Sequence, residues 1–331
     1  MDGDLLAIHR QYGDRAIGYP APGKLDYGAT PRATPLIYDG VVYCCGAFGH
    51  LHAVNIATGK VVWKHDSVAD FAAPISGLSW GLCGSPLLAG GKLIYYPGGP
   101  EAAIVALDPK TGAVIWKTPG ARPSYGSFIA ASLGRVEQLI GHDATTLGGW
   151  DVATGKRLWT LTPERPNDFN VPTPVIYDDR LIVSTENNGT RMYEFDDSGR
   201  IIPKPLATNL SLHPDTHSPV RAGTRLFGVF DGIHCLDLSN KLKSIWSSEE
   251  IAFNQYTTAV ATDTRLLLVN INAEAVIVDA TANKFAPLDR RKLVEDEVGM
   301  YAHPAFASGK MYLRTNDAVF CFDLNAIQSR E

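Results

Sequence analysis

The stretch Ile104-Val-Ala-Leu-Asp108-Pro-Lys-Thr-Gly112-Ala-Val-Ile-Trp116 decides how the rest of the chain is read. It sets an apolar strand before an Asp, a tight turn closed by Thr-Gly, and a second strand ending on a tryptophan. Glycine suits the positive-φ position of such a reversal, and an Asp side chain accepts hydrogen bonds from the turn amides. The turn returns as Asn55-Ile-Ala-Thr-Gly-Lys60 and Asp151-Val-Ala-Thr-Gly-Lys156. Its leading acid or amide recurs seven times, at Asn55, Asp108, Asp151, Asp196, Asp237, Asp279 and Asp323.

Two further anchors keep step with it. A small or proline-containing strand entry lies upstream each time: Thr34-Pro35, Ser85-Pro86, Ile129-Ala130, Thr173-Pro174, Ser218-Pro219, Thr258-Ala259 and His303-Pro304. Downstream, Trp63, Trp116, Trp159 and Trp246 follow in four units. Repeats of roughly 40 to 50 residues, each with several short strands, are the signature of propeller or solenoid architecture. Within the second unit, Ser85 to Lys117 reads as four β-rich runs separated by Gly/Asp turns, a four-stranded antiparallel meander. No helical periodicity is visible.

The fold class that follows is all-β, a β-propeller of four-stranded antiparallel blades. Seven clear repeats cover 28–325, and 1–27 reads as a degenerate eighth blade or as closing strands, Leu5–Arg10 and Ala16–Tyr19. The whole of 1–331 is expected to be one domain with a trimmed N-terminus. The tryptophan belongs on the outermost strand, where a large ring fills the gap between fanning blades and its N–H seeks a carbonyl. Trp116→Ala is expected to cost about 3–5 kcal/mol if the ring is buried.

Hydrophobic residues make up 45% and charged residues 20% of the 331, with no apolar run long enough to span a bilayer. The formal net charge of −5 is spread through the chain, which argues against nucleic acid as a partner. Five cysteines at unrelated positions do not form a disulfide framework. Cys235 and Cys321 share one slot, two residues before the acidic anchor, and read as core fillers.

The pattern apolar-x-Ala-Leu-Asp-x-x-Thr-Gly-x-x-x-Trp, met by Ile104 to Trp116 and closely by Leu51 to Trp63, resembles the pyrroloquinoline quinone (PQQ) type repeat. By that resemblance the chain is similar to PQQ-like β-propeller proteins over about 28–325. The family includes quinoprotein alcohol dehydrogenases, the outer-membrane assembly lipoprotein of Gram-negative bacteria, and bacterial propellers without a demonstrated cofactor. The layout, with Pro31-Arg-Ala-Thr-Pro35 and Gly49-His-Leu-His-Ala53, is most similar to the last group. The resemblance implies export, hence a periplasmic or other extracytoplasmic place of work.

A quinoprotein dehydrogenase holds an orthoquinone between a tryptophan and a vicinal disulfide, with a calcium ion and a carboxylate base. Cys44-Cys45 raises that reading, but neighbouring strand residues point to opposite faces, and two independent thiols are the plainer assignment. No cofactor is expected, PQQ with calcium belonging only to the alternative. His50 and His52 share a strand face without further ligands and read as exposed strand histidines.

Loops entering the inner strands carry Tyr27, Trp80, Tyr125, Phe169, His217, Tyr256 and Tyr301. Either these rings crown one face around the axis, or each staples its own loop. Arg32, Asn170, Asp215, Gln255 and His303 lie in the same loops. Arg32, Trp80, Tyr125, Asn170, His217, Gln255, Tyr256, Tyr301 and His303 are the expected binding rim for a protein or peptide, with no catalytic residue and no metal ligand. A PQQ-dependent dehydrogenase of small alcohols or sugars and a carbohydrate-binding propeller are the alternatives.

Overall fold

Period-two alternation in the strands sends neighbouring side chains to opposite sheet faces, and both faces are apolar here. In the second repeat Leu93, Tyr95, Val105 and Leu107 join a core with Tyr43, Cys45, Leu51 and Ala53 of the first. The interleaved Ile94, Tyr96, Ile104 and Ala106 join another core with Phe128, Leu139 and Trp150 of the third. Sheets buried on both faces are why the central strands read as unbroken apolar runs.

The computed structural model describes residues 32–74, 78–253, 256–295, 299–315 and 318–324. These fall into two compact units. The first runs to Asn170 and includes Phe195–Ile202. It holds three four-stranded sheets, each a meander. They are β1 (Leu36–Tyr38), β2 (Val41–Cys45), β3 (His50–Asn55) and β4 (Val61–Asp66); β5 (Leu87–Ala89), β6 (Lys92–Tyr95), β7 (Ile104–Leu107) and β8 (Val114–Thr118); and β9 (Ile129–Leu133), β10 (Val136–His142), β11 (Leu147–Asp151) and β12 (Arg157–Leu161).

The second unit holds four sheets. They are β13 (Val175–Tyr177), β14 (Arg180–Thr185), β15 (Gly189–Tyr193) and β16 (Ala207–Asn209); β17 (Val220–Ala222), β18 (Arg225–Val229), β19 (Ile233–Asp237) and β20 (Lys243–Ser248); β21 (Thr258–Ala261), β22 (Arg265–Val269), β23 (Glu274–Asp279) and β24 (Pro287–Lys292); and β25 (Ala305–Ala307), β26 (Lys310–Arg314) and β27 (Val319–Asp323). Its cores again lie between successive sheets, as where Phe227 and Cys235 meet Leu266, Leu268 and Val276.

Seven consecutive antiparallel sheets are the blades of a β-propeller, as the repeats predict. The expected eighth-blade strands at 1–27 lie outside the described residues. A bulge recurs where the third strand meets the fourth, at Ala53/Val54, Ala106/Leu107, Gly149/Trp150, Cys235/Leu236 and Ile277/Val278. Such an extra residue bends the outer strand and raises its twist just after the acidic turn.

The turn chemistry is as expected. Asp108 Oδ1 accepts from the amides of Lys110 and Thr111 at 2.9 and 2.8 Å, and Asp151 Oδ1 accepts from Thr154 at 2.7 Å. Gly112 and Gly155 take φ of 74° and 72°.

Three details depart from the sequence reading. A short helix, α1 (Ser67–Phe71), follows β4, capped by Asp66, whose carboxylate accepts from Val68 and Ala69. Five residues are too few to show helical periodicity. Cys235 is fully buried as expected, but Cys321 is exposed, because among the described residues no fourth strand covers β27. His50 and His52 are half-buried instead of exposed, and burial lowers the His52 imidazole to about 4.

Candidate functional site

In the first unit, three loops that lead toward inner strands bring their aromatic residues into one cluster. The Trp80 ring meets Tyr125 edge-on at 4.8 Å and Phe169 edge-on at 5.3 Å. Trp80 and Tyr125 are half-buried, while Phe169 is 52% exposed. Burial raises the Tyr125 phenol, the Cys83 thiol adds to that, and the backbone of Ser79 and Trp80 and the charge of Arg122 act against it. The Cys83 thiol is pushed up to about 11 by burial, against the charge of the half-buried Arg32.

The loops are tied to one another by backbone. Gly126 N–H donates to the Asn170 carbonyl at 2.8 Å, and Leu82 N–H donates to the Ala47 carbonyl at 2.9 Å. Asn170, expected on an open rim, is 3% exposed, and its Nδ2 donates to the Asp143 carbonyl at 3.4 Å. Asn167 and Asn170 hold φ of 69° and 55°, a left-handed conformation that asparagine tolerates best among residues with a Cβ. Asp168 between them is buried.

Near this cluster lies a small cleft whose lining includes Tyr96, Phe128, His142, Asp143, Trp150 and Arg157. The Asp143 carboxylate accepts from the amides of Thr145 and Thr146 at 3.0 and 2.7 Å, from Thr146 Oγ1 at 2.8 Å and from Arg157 Nη1 at 3.1 Å. Burial works to raise its pKa, but these donors outweigh it and hold the carboxyl below its ordinary value. Arg157 also lies over the Trp150 ring at 4.5 Å. The Asp143–Arg157 pair escaped the sequence reading. Asp143-Ala-Thr-Thr146 shows its turn in the sequence, but nothing there names the partnering arginine.

In the second unit, Tyr256 and Tyr301 meet edge-on at 5.4 Å, and Tyr301 is 44% exposed. His303 is exposed, whereas His217 is 4% exposed and so does not project. Its Nδ1 bonds the Thr257 carbonyl at 2.7 Å, which makes Nδ1 the protonated nitrogen and leaves Nε2 a buried acceptor with no partner among the described residues. Burial brings His217 down to about 4, with the nearby His303 adding to the shift and the Thr257 carbonyl opposing it. Gln255 and Tyr27 lie outside the described residues, and Asp215 is half-buried.

A family model described as outer membrane protein assembly factor BamB matches residues 13–248 and 100–326. The dehydrogenase subunit of an alcohol dehydrogenase (quinone) from Komagataeibacter europaeus is 25% identical over 320 residues, covering 88% of this chain and 41% of that protein. Quinohemoprotein alcohol dehydrogenase ADH IIB of Pseudomonas putida is 32% identical over 158 residues, 44% of this chain and 22% of that one. The chain thus spans less than half the length of these relatives. Among solved structures, BamB from Moraxella catarrhalis superposes with a TM-score of 0.62 at 16% identity, over 88% of this chain and 81% of its own.

Cys44 and Cys45 are separate thiols, and their side chains leave opposite faces of β2. Cys45 is packed in the first core with its Sγ 3.7 Å from the Tyr95 hydroxyl, and burial pushes its thiol up to about 12. Among the described residues, no group of three or more His, Cys, Asp and Glu side chains is placed to hold a metal ion.

Proposed function

This chain belongs to the family of the outer membrane protein assembly factor BamB, and from that premise we propose that it is a non-catalytic binding propeller for a protein or peptide partner. The docking surface is the loop face that carries Trp80, Tyr125 and Phe169, and the place of work is the extracytoplasmic side of the cell envelope. The observation that supports this reading is the exposure of Phe169 at the edge of an interlocked aromatic cluster. A large ring left half in water, on loops tied down around it, is the anchor that interfaces favour.

The test is a pull-down from a bacterial envelope extract with the whole chain and with Trp80→Ala and Phe169→Ala. Loss of one captured species by both variants, with unchanged thermal unfolding, supports the reading. Equal capture by the variants, or alcohol turnover on addition of pyrroloquinoline quinone and calcium, overturns it.

A further inference from the structure

The segment Pro163-Glu-Arg-Pro-Asn-Asp-Phe-Asn170 presents an apolar ring by means that cost stability. Left-handed Asn167 and Asn170 bracket Phe169, and the intervening Asp168 is turned inward and buried. Asn170 is held from both sides, its carbonyl by Gly126 N–H and its side chain on the Asp143 carbonyl. Non-glycine residues in that conformation persist only where their surroundings over-determine them. The backbone that presents Phe169 is therefore held before any partner arrives, which lowers the ordering cost of binding.

Arginines outnumber carboxylates in the loops around these rings, Arg32, Arg122 and Arg165 against Glu164 and Asp168. Arg122, exposed and three residues before Tyr125, acts on the Tyr125 phenol, and Arg32 acts on Cys83 in the same loop as Trp80. Arg165, also exposed, precedes Phe169 in its own segment. Of the two carboxylates, Asp168 is buried and Glu164 is exposed beside Arg165, while the neighbouring Asp143 is engaged by Arg157. Guanidinium groups carry five donors each and take a further carboxylate alongside the contacts they already make.

We propose that this patch docks an acidic segment of a partner protein, an apolar side chain of that segment lying on Phe169 and Trp80 and its carboxylates on Arg122 and Arg32. The inference rests on the peptide-binding reading given above and adds the chemistry of the partner. Charged rim contacts of this kind set partner choice and the rate of encounter more than total affinity.

Fluorescence anisotropy with the full chain tests it, using labelled nine-residue peptides with a central Phe or Leu flanked by Asp/Glu, by Asn/Gln or by Lys. The acidic peptide is expected to bind at least about tenfold more tightly than the neutral one, with affinity falling as salt rises. Phe169→Ala weakens it by about tenfold or more, and Arg122→Glu reverses the preference toward the Lys peptide. Both positions are exposed, and an unchanged melting curve excludes unfolding as the cause. Equal or tighter binding of the neutral or basic peptide, or indifference to both substitutions, overturns the assignment. If the pull-down captures a partner whose loss depends on Trp80 and Phe169 but whose docking segment is neutral or basic, the charge assignment falls and the peptide-binding reading stands. No binding by any peptide together with no such capture removes both.

Discussion

Trp63 lies against Gly112, so close that a Cβ on that glycine would meet the ring at 2.7 Å, and its indole N–H donates to the Pro109 carbonyl at 2.9 Å. The tryptophan of one blade is thus seated on the acidic turn of the next. Trp116 repeats the arrangement, its ring 2.4 Å from a Cβ built on Gly155 and its N–H on the Val152 carbonyl at 3.2 Å. The glycine is needed twice, for its positive φ and for the space the ring occupies. Gly112→Ala is expected to destabilise by about 1–3 kcal/mol, as strain and clash add. Gly91→Ala, in a turn with equal φ and open space, isolates the backbone part. Chemical unfolding of the two variants gives the difference, and equal losses would disprove the seating role.

Trp159 departs from that arrangement and shows how the fold copes. Its N–H donates to Gln138 Oε1 at 2.6 Å, and Gln138 Nε2 donates on to the Gly199 carbonyl at 3.0 Å. Gln138 is fully buried, so Gln138→Leu strands an indole N–H and a carbonyl together, a loss of about 2–4 kcal/mol in urea unfolding. A loss below about 1 kcal/mol would show the bridge to be dispensable. Trp116 itself is half-buried, so its truncation belongs at or below the low end of the 3–5 kcal/mol that full burial implies.

Asp143 anchors the Asn170 loop through its carbonyl and its own turn through its carboxylate. Asp143→Ala leaves Arg157 and two threonine amides without their acceptor, and about 2–4 kcal/mol of stability is expected to go with it. Asn170→Ala removes the side chain that holds the Asp143 carbonyl, and peptide binding at Phe169 should weaken in that variant. Native-state hydrogen exchange at Gly126 reports this directly: unchanged protection would refute the link.

His217 gives the protein a pH dependence of known sign. Its folded value of about 4 lies below the ordinary 6.5, so the unfolded chain binds the proton first as pH falls. The associated stability is fully present above pH 6.5 and is lost as pH drops toward 4, at up to about 1.4 kcal/mol per unit. His52, also near 4 and half-buried, adds in the same direction. His217→Gln should flatten the stability profile between pH 7.5 and 5 by urea unfolding. A profile as steep as that of the parent would contradict the assignment.

The blades were legible because each motif residue has a physical duty in one turn. Asp108 takes the amides, Gly112 turns the chain and receives the ring, and Trp116 carries the contact onward. The positions of the loop aromatics were legible from their phase relative to those anchors. Which of them touch was not, since Trp80, Tyr125 and Phe169 meet across more than eighty residues of sequence. Nor were the burial of His217 and Asn170 legible, because each is drawn in by a carbonyl from a distant loop. The exposure of Cys321 depends on what flanks β27, which its own strand pattern does not encode.

The central claim is that the face bearing Phe169 is where a partner docks. A photo-crosslinking amino acid placed at position 169 tests it against the same group at position 115, where Ile115 is 49% exposed on the outer strand β8. One envelope protein is expected to crosslink from position 169 and none from 115. Capture from 115 with none from 169 would contradict it.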